Sequence, residues 1–258
     1  LGSDGFARIA YYSVSAGDLK FARCTDVDCS AKNISSPDTT NDVGKYTSII
    51  LGSDGFARIS YLDETNDDLK FVRCTNLDCT SSNRTTVDPT GDMGSLKTSI
   101  ALGSDGFARI AYYDDTNDDL RFVLCSNDDC TSKTLTNVDS TGNVGKYMSM
   151  KLGSDGFARI SYYGSGNLRL ARCTSADCAT KVISNPDDTS NDLGHYTSIV
   201  LGADGFARIS HHDDTAKDLR YVLCADADCN APSSPQVDVA QSFQPTITDR
   251  IVSIDLFL

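Results

Sequence analysis

The chain has 258 residues, 40% of them hydrophobic, with 36 Asp and Glu against 23 Lys and Arg and a net charge of −13 at pH 7. A surface this acidic repels phosphate backbones and anionic headgroups, so neither nucleic acid nor membrane is an expected partner; beyond that, the charge argues for solubility. No run of about 18 apolar residues occurs, so no transmembrane helix is expected.

The chain opens with L-G-S-D-G-F-A-R-I at Leu1. The same nine residues return at Leu51, Leu102 and Leu152, and once more as L-G-A-D-G-F-A-R-I at Leu201. A period of about 50 residues repeated five times is the signature of a repeat architecture. Because the chain starts inside a repeat, with no initiator Met and no signal peptide, it is expected to be a processed product or a fragment.

Each unit reads as four short strands, as the second one illustrates. A β-branched and aromatic run at 46–51 is followed by the turn G-S-D-G, whose Asp-Gly supplies the positive φ of a tight hairpin. A second strand at 56–62 meets an acidic loop at 63–68. A third strand at 69–74 leads through T-N-L-D into a fourth at 79–86, and a polar loop at 87–94 reaches the next unit. No helical period is sustained anywhere. The expected fold is therefore all-β: a five-bladed β-propeller with four antiparallel strands per blade. A β-solenoid is the rival, but its coils need fewer residues per turn, about 20 to 30.

The propeller is expected to span 1–249, with residues 244–249 (Q-P-T-I-T-D) supplying the inner strand that the first unit lacks. The apolar tail 250–258 is left over, either packing on its own propeller or donated to another subunit.

The ten Cys fall as five C-x4-C pairs: Cys24 and Cys29, Cys74 and Cys79, Cys125 and Cys130, Cys173 and Cys178, Cys224 and Cys229. An even count at fixed spacing points to one hairpin disulfide per blade and an oxidising, extracellular compartment. Zinc is the competing reading, disfavoured by three His and no C-x2-C pair.

Arg8, Arg58, Arg109, Arg159 and Arg208 recur in step with Asp4, Asp54, Asp105, Asp155 and Asp204. A guanidinium between packed blades needs a partner, so a structural ion pair per blade is expected, with a ring of anion-binding arginines as the alternative. Tyr11, Tyr61, Tyr112 and Tyr162, with His211 in the fifth unit, share the face of Ile9 and its equivalents and are expected to pack in the core. The next position, Tyr12, Tyr113, Tyr163 and His212 (Leu62 in the second unit), adjoins the acidic loops that begin at Asp63, Asp114 and Asp213. These seven polar and aromatic residues are the candidate ligand contacts, on the face where the long loops gather. The acidic loops could hold calcium, but none matches an EF-hand spacing; surface solvation is the simpler reading, and neither metal nor cofactor is expected. Asn33-Ile-Ser and Asn83-Arg-Thr are glycosylation sequons. Nearly every polar residue recurs in step and no unique acid stands out, so catalysis is not expected.

The run D-G-F-A-R-I-S-Y-L-D-E-T-N-D-D-L-K-F at 54–71, with V-G-K-Y-T-S-I at 43–49 before it, resembles a β-propeller repeat of bacterial secreted and surface proteins that carries D-x-x-G-x-x-x-I-S-Y-Y-D and then D-L-K. The five-unit count is similar to tachylectin-type lectins by architecture alone. The resemblance covers almost the whole chain and does not define a substrate. Equivalent sites repeated around a rigid ring gain avidity, so the expected function is a secreted, non-catalytic, multivalent binding module with carbohydrate as its partner. The alternative is a self-associating structural subunit of an extracellular fibre or surface layer, with the tail as its assembly strand.

Overall fold

The computed structural model describes residues 1–90, 97–187 and 189–230. The expected strand at 244–249 and the tail at 250–258 lie outside them, as do residues 91–96.

Among the described residues there is no helix, and none is long and apolar enough to cross a membrane. Five antiparallel meanders follow one another along the chain, and no sheet closes on itself. The first is β1 (Arg8–Ser13), β2 (Asp18–Cys24) and β3 (Lys32–Asp38). The second is β4 (Val43–Leu51), β5 (Ala57–Asp63), β6 (Asp68–Cys74) and β7 (Ser82–Asp88). The third runs β8 (Ser99–Leu102), β9 (Ala108–Asp114), β10 (Asp119–Cys125), β11 (Lys133–Asp139), and the fourth β12 (Val144–Leu152), β13 (Ala158–Gly164), β14 (Asn167–Cys173), β15 (Lys181–Asp187). The fifth is β16 (His195–Leu201), β17 (Ala207–Asp213) and β18 (Asp218–Leu223).

Two boundaries differ from the sequence expectation, each for a local reason. The outer strand of the second sheet starts at Ser82, because Cys79 sits in the turn with φ near 50° and donates its N–H to Asn76. The five disulfides therefore staple the turn that ends the third strand, with Cα atoms 4.7–4.8 Å apart, and are not rungs across a hairpin; Cys74 is opposite Ser82 in the ladder. The first strand begins earlier, at Val43, because a bulge lets it continue past Gly44 and Tyr46, both at positive φ. A Cβ on Gly44 would lie 2.6 Å from the Cα of Leu19, so glycine is what allows this bulge to rest on the preceding sheet.

The Asp–Arg pairs shape the D-G turns. Asp54 Oδ1 accepts from the Phe56 N–H and from Arg58 at 2.6 Å, and Asp4–Arg8, Asp105–Arg109, Asp155–Arg159 and Asp204–Arg208 repeat the pair at 2.6–3.0 Å. These hydrogen bonds hold the carboxyl of Asp54 below its ordinary value, against the opposing effect of partial burial.

Consecutive sheets pack face to face. At the first three seams a Leu-x-Phe pair meets an Ile-x-Tyr pair of the next sheet: Leu19 and Phe21 against Ile59 and Tyr61, Leu69 and Phe71 against Ile110 and Tyr112, Leu120 and Phe122 against Ile160 and Tyr162. At the last seam Leu168 and Leu170 meet Ile209, with His211 in the place of Tyr.

Candidate functional site

The seams carry a polar latch that the sequence reading did not anticipate. Asp38, at the end of β3, is 1% exposed and accepts 2.7 Å hydrogen bonds from the Tyr61 hydroxyl and from Lys70 Nζ, both in the next sheet. Burial pushes its carboxyl up, but the bonds from Lys70, Tyr61 and the Thr40 N–H outweigh that and hold it below its ordinary value. Asp88 takes Tyr112 and Arg121 in the same way, and Asp139 takes Tyr162 and Arg169. In the fifth sheet, Nδ1 of His211 accepts the Gly194 N–H, which leaves the proton on Nε2, 3.3 Å from Asp187; Arg220 lies 3.0 Å from the same carboxylate. The tyrosines expected in the core are thus buried at the ring and bonded at the hydroxyl. Tyr11, with no preceding sheet among the described residues, is 36% exposed.

The expected ligand contacts separate into two groups. Asp63, Asp114, Asp213 and Tyr113 are inside the protein, each at most 2% exposed. Asp63 accepts from Asn41, Asn66 and the Thr65 N–H; Asp114 from Asn117 and Arg121; Asp213 from Asn191, Arg220 and two backbone N–H groups. Tyr113 donates to Asp118. These carboxylates tie acidic loops to their seams and offer a ligand no surface. Tyr12, Tyr163 and His212 remain at the surface, partly exposed.

Tyr163 and His212 are brought together, with three further rings, at the seam between the fourth and fifth sheets. His195 stacks on Tyr147 with centroids 4.9 Å apart and meets the edge of Tyr163 at 4.8 Å; Tyr196 lies 4.6 Å from Tyr147, and His212 lies 6.4 Å from both His195 and Tyr196. Two carboxylates flank the rings: Asp192 Oδ1 is 3.3 Å from His195 Nε2, and Asp214 Oδ1 is 3.7 Å from His212 Nδ1 and 2.9 Å from Lys217. Tyr196 is 56% exposed, so the cluster is an open platform.

The backbone builds this platform. Tyr46, Tyr147 and Tyr196 follow the bulge glycines Gly44, Gly145 and Gly194, and each has φ between 50° and 55°. A left-handed tyrosine costs about 1–2 kcal/mol, and such outliers gather at functional positions. The recurring G-[K/H]-Y triplet was the signal available in the sequence. At two other seams the same place is filled differently: Lys45 Nζ sits 5.1 Å over the Tyr12 ring, 3.4 Å from Asp42 and 3.2 Å from Glu64, and Lys146 sits 5.1 Å over Tyr113. Only at the seam with His195 are five rings gathered among the described residues. No group of three or more His, Cys, Asp or Glu able to hold a metal occurs among the described residues.

Five disulfides fit an extracellular or secreted protein. No protein family and no curated protein matches the chain in sequence. Solved structures match its fold. A puromycin hydrolase aligns with a TM-score of 0.56 at 13% identity over 88% of this chain and 37% of its own, so the chain spans little more than a third of that enzyme's length. The lectin SapL1, solved with alpha methyl fucoside, aligns with a TM-score of 0.56 at 13% identity over 85% of this chain and 72% of its own. A protein of unknown function from Dyadobacter fermentans aligns at 0.52 and 12% identity over 92% and 84%. At these identities the likeness concerns architecture alone: the chain is an all-β, β-propeller-like array of five disulfide-stapled antiparallel sheets.

Proposed function

We propose that the five sheets are the blades of a closed five-bladed β-propeller, and that this is a secreted, non-catalytic module that binds glycan. One observation carries the reading: the open platform of Tyr147, Tyr163, His195, Tyr196 and His212, flanked by Asp192 and Asp214. A sugar ring offers an apolar C–H face and a rim of hydroxyls; aromatic faces take the first, and carboxylate and imidazole acceptors take the second. The lysine-capped seam at Tyr12 is a secondary position that a branched glycan could reach, adding avidity.

Glycan-array binding followed by calorimetry on the best hit tests this. Tyr196→Ala should weaken binding about tenfold or more, as expected for loss of a central aromatic anchor worth ~1.4 kcal/mol, and Tyr46→Ala should leave it within about threefold. An array without a hit, or equal loss in both variants, overturns the reading.

A self-assembling structural subunit is the second reading. It is favoured by two apolar faces at the ends of the described array: Ile9 and Tyr11 (43% and 36% exposed), and Leu219 and Tyr221 (39% and 37%). Light scattering that gives a monomer at all concentrations removes it.

A further inference from the structure

Two seams of the array are built alike at the surface, and one of them keeps a lysine on its ring. Between the first and second sheets, Lys45 Nζ lies 5.1 Å from the centroid of the Tyr12 ring, 3.4 Å from Asp42 and 3.2 Å from Glu64. One ring and two carboxylates thus surround one ammonium. An aromatic face attracts a cation through its quadrupole, and a carboxylate does so by charge-assisted hydrogen bonds.

Between the fourth and fifth sheets the same positions hold Tyr163, Asp192 and Asp214. Tyr163 follows Leu152 as Tyr12 follows Leu1, Asp192 precedes Leu201 as Asp42 precedes Leu51, and Asp214 follows Leu201 as Glu64 follows Leu51. The loops that carry the acids are joined in the same way. The Glu64 N–H donates to the Asp42 carbonyl and the Asp214 N–H to the Asp192 carbonyl, both at 2.8 Å. The Asp42 N–H donates to Thr65 Oγ1 at 3.0 Å, and the Asp192 N–H to Thr215 Oγ1 at 2.8 Å. All four acid side chains are partly exposed.

The difference is the cation. His195 stands at the lysine position, so the ammonium is gone while the ring and both acids remain. The imidazole turns onto Tyr147, stacked at 4.9 Å, with Nε2 3.3 Å from Asp192. Tyr196 and His212 add two more rings. Lys217 offsets Asp214 from 2.9 Å on an exposed side chain, whereas Asp192 meets only His195 among the described ion pairs. At the seam between the third and fourth sheets the exchange runs the other way: Lys146 stays over Tyr113, and Asn143 and Ser165 stand in the places of the acids.

We infer that the platform recognises an unacetylated amino sugar, whose ammonium takes the place that Lys45 Nζ fills at the first seam. The nitrogen lies between Asp192 and Asp214 against Tyr163, and the C–H face of the sugar covers Tyr196. A net charge of −13 favours the approach of such a cation. The inference rests on the glycan reading above and adds to it the charge of the sugar.

The test is an array of hexosamine oligosaccharides printed in free-amine and N-acetylated forms, with calorimetry on the best pair and the full chain. The free-amine form should bind about tenfold tighter or more. Equal binding of the two forms, or binding of neutral glycans alone, overturns the inference and leaves the glycan reading standing. An array blank throughout overturns both. Two variants address the slot itself. His195→Lys supplies an internal ammonium as at the first seam and should abolish binding; retained binding in a chain that melts like the parent overturns the inference. Asp192→Asn should weaken the free-amine form about tenfold, and an unchanged affinity counts equally against it. Lysine amide should compete at least about tenfold less well than the sugar; equal competition would reject the amino sugar in favour of a cationic side chain.

Discussion

The seam between the first and second sheets and the seam between the fourth and fifth solve the same problem with different side chains. Asp38 is held by a phenol and a lysine; Asp187 is held by an imidazole and an arginine. The phenol of Tyr61 has one proton to give and gives it to the carboxylate. The imidazole of His211 brings Nε2 to 3.3 Å from its carboxylate and on its other nitrogen accepts the Gly194 N–H. The seam that exchanged tyrosine for histidine inside is also the one that exchanged lysine for histidine outside, where His195 stands in the place of Lys45 and Lys146. The interior keeps the latch under either chemistry. The surface does not stay equivalent, and the ring platform arises there.

The largest test of the comparison is removal of the shared acceptor. Asp38→Ala leaves Lys70, 11% exposed at its side chain, with only Asp63 at 3.6 Å as a buried partner, and the Tyr61 hydroxyl without an acceptor. Loss of one member of a buried ion pair costs about 3–5 kcal/mol, which denaturant titration would read as a lower midpoint at unchanged slope. An effect below 1 kcal/mol would mean that solvent reaches the latch.

His211→Phe and Tyr61→Phe separate the two chemistries. Tyr61→Phe removes one hydrogen bond, for about 1 kcal/mol, while His211→Phe also strands the Gly194 N–H, so its cost should be larger by roughly 1–3 kcal/mol. Equal losses would erase the distinction.

Acid sharpens the same comparison. The carboxyls of Asp38 and Asp88 lie below their ordinary value of 3.8, since hydrogen bonds from Lys70 and Tyr61, and from Tyr112 and Thr90, outweigh burial. A lowered folded value means the unfolded chain binds protons first. The stabilisation is therefore whole above pH 3.8 and is lost as the pH falls through the folded values beneath it. Melting curves should change little between pH 5 and 7 and drop steeply below about pH 3.8. In Asp88→Asn that drop should be shallower.

The smallest effect belongs to the surface pairs. Asp204 and Arg208 are 43% and 28% exposed at their side chains, so solvent screens the pair and Asp204→Ala should barely shift the melting midpoint, and less still in high salt.

Much of this was legible because it is local. The D-G turns, the Asp–Arg pairs four residues apart and the C-x4-C staples lie within single turns, and the repeat displays each of them five times. The latch was not legible as a contact, since Asp38 lies 23 and 32 residues from Tyr61 and Lys70, and nothing in a sequence states that two such positions meet. Its trace was there, an aspartate nine residues beyond each second Cys, in step with Tyr or His. The seven expected contact residues were chosen for chemistry and position, which cannot separate an acid at the rim from one folded under it; Asp63, Asp114 and Asp213 proved to be the second kind. Tyr147 and Tyr196 were not legible, because their outward aim depends on a bulge with positive φ, which no alternation rule foresees.

One clamp has a mechanical consequence. Arg23 reaches Asp78 in the Cys turn of the next sheet at 2.5 Å, Arg73 reaches Asp129 at 2.5 Å, and Arg172 reaches Asp228, but the third sheet has Leu124 at that position. A load drawn along the chain passes from sheet to sheet through these outer links, much as tension passes along a row of couplings, and the third joint has one coupling fewer. Drawn apart by its ends in a force spectrometer, the opened array should part first between the third and fourth sheets. Each later sheet should then pay out roughly 17 nm of contour, the extended length of about 50 residues. Rupture forces without that first weak event would show that the outer links bear no load.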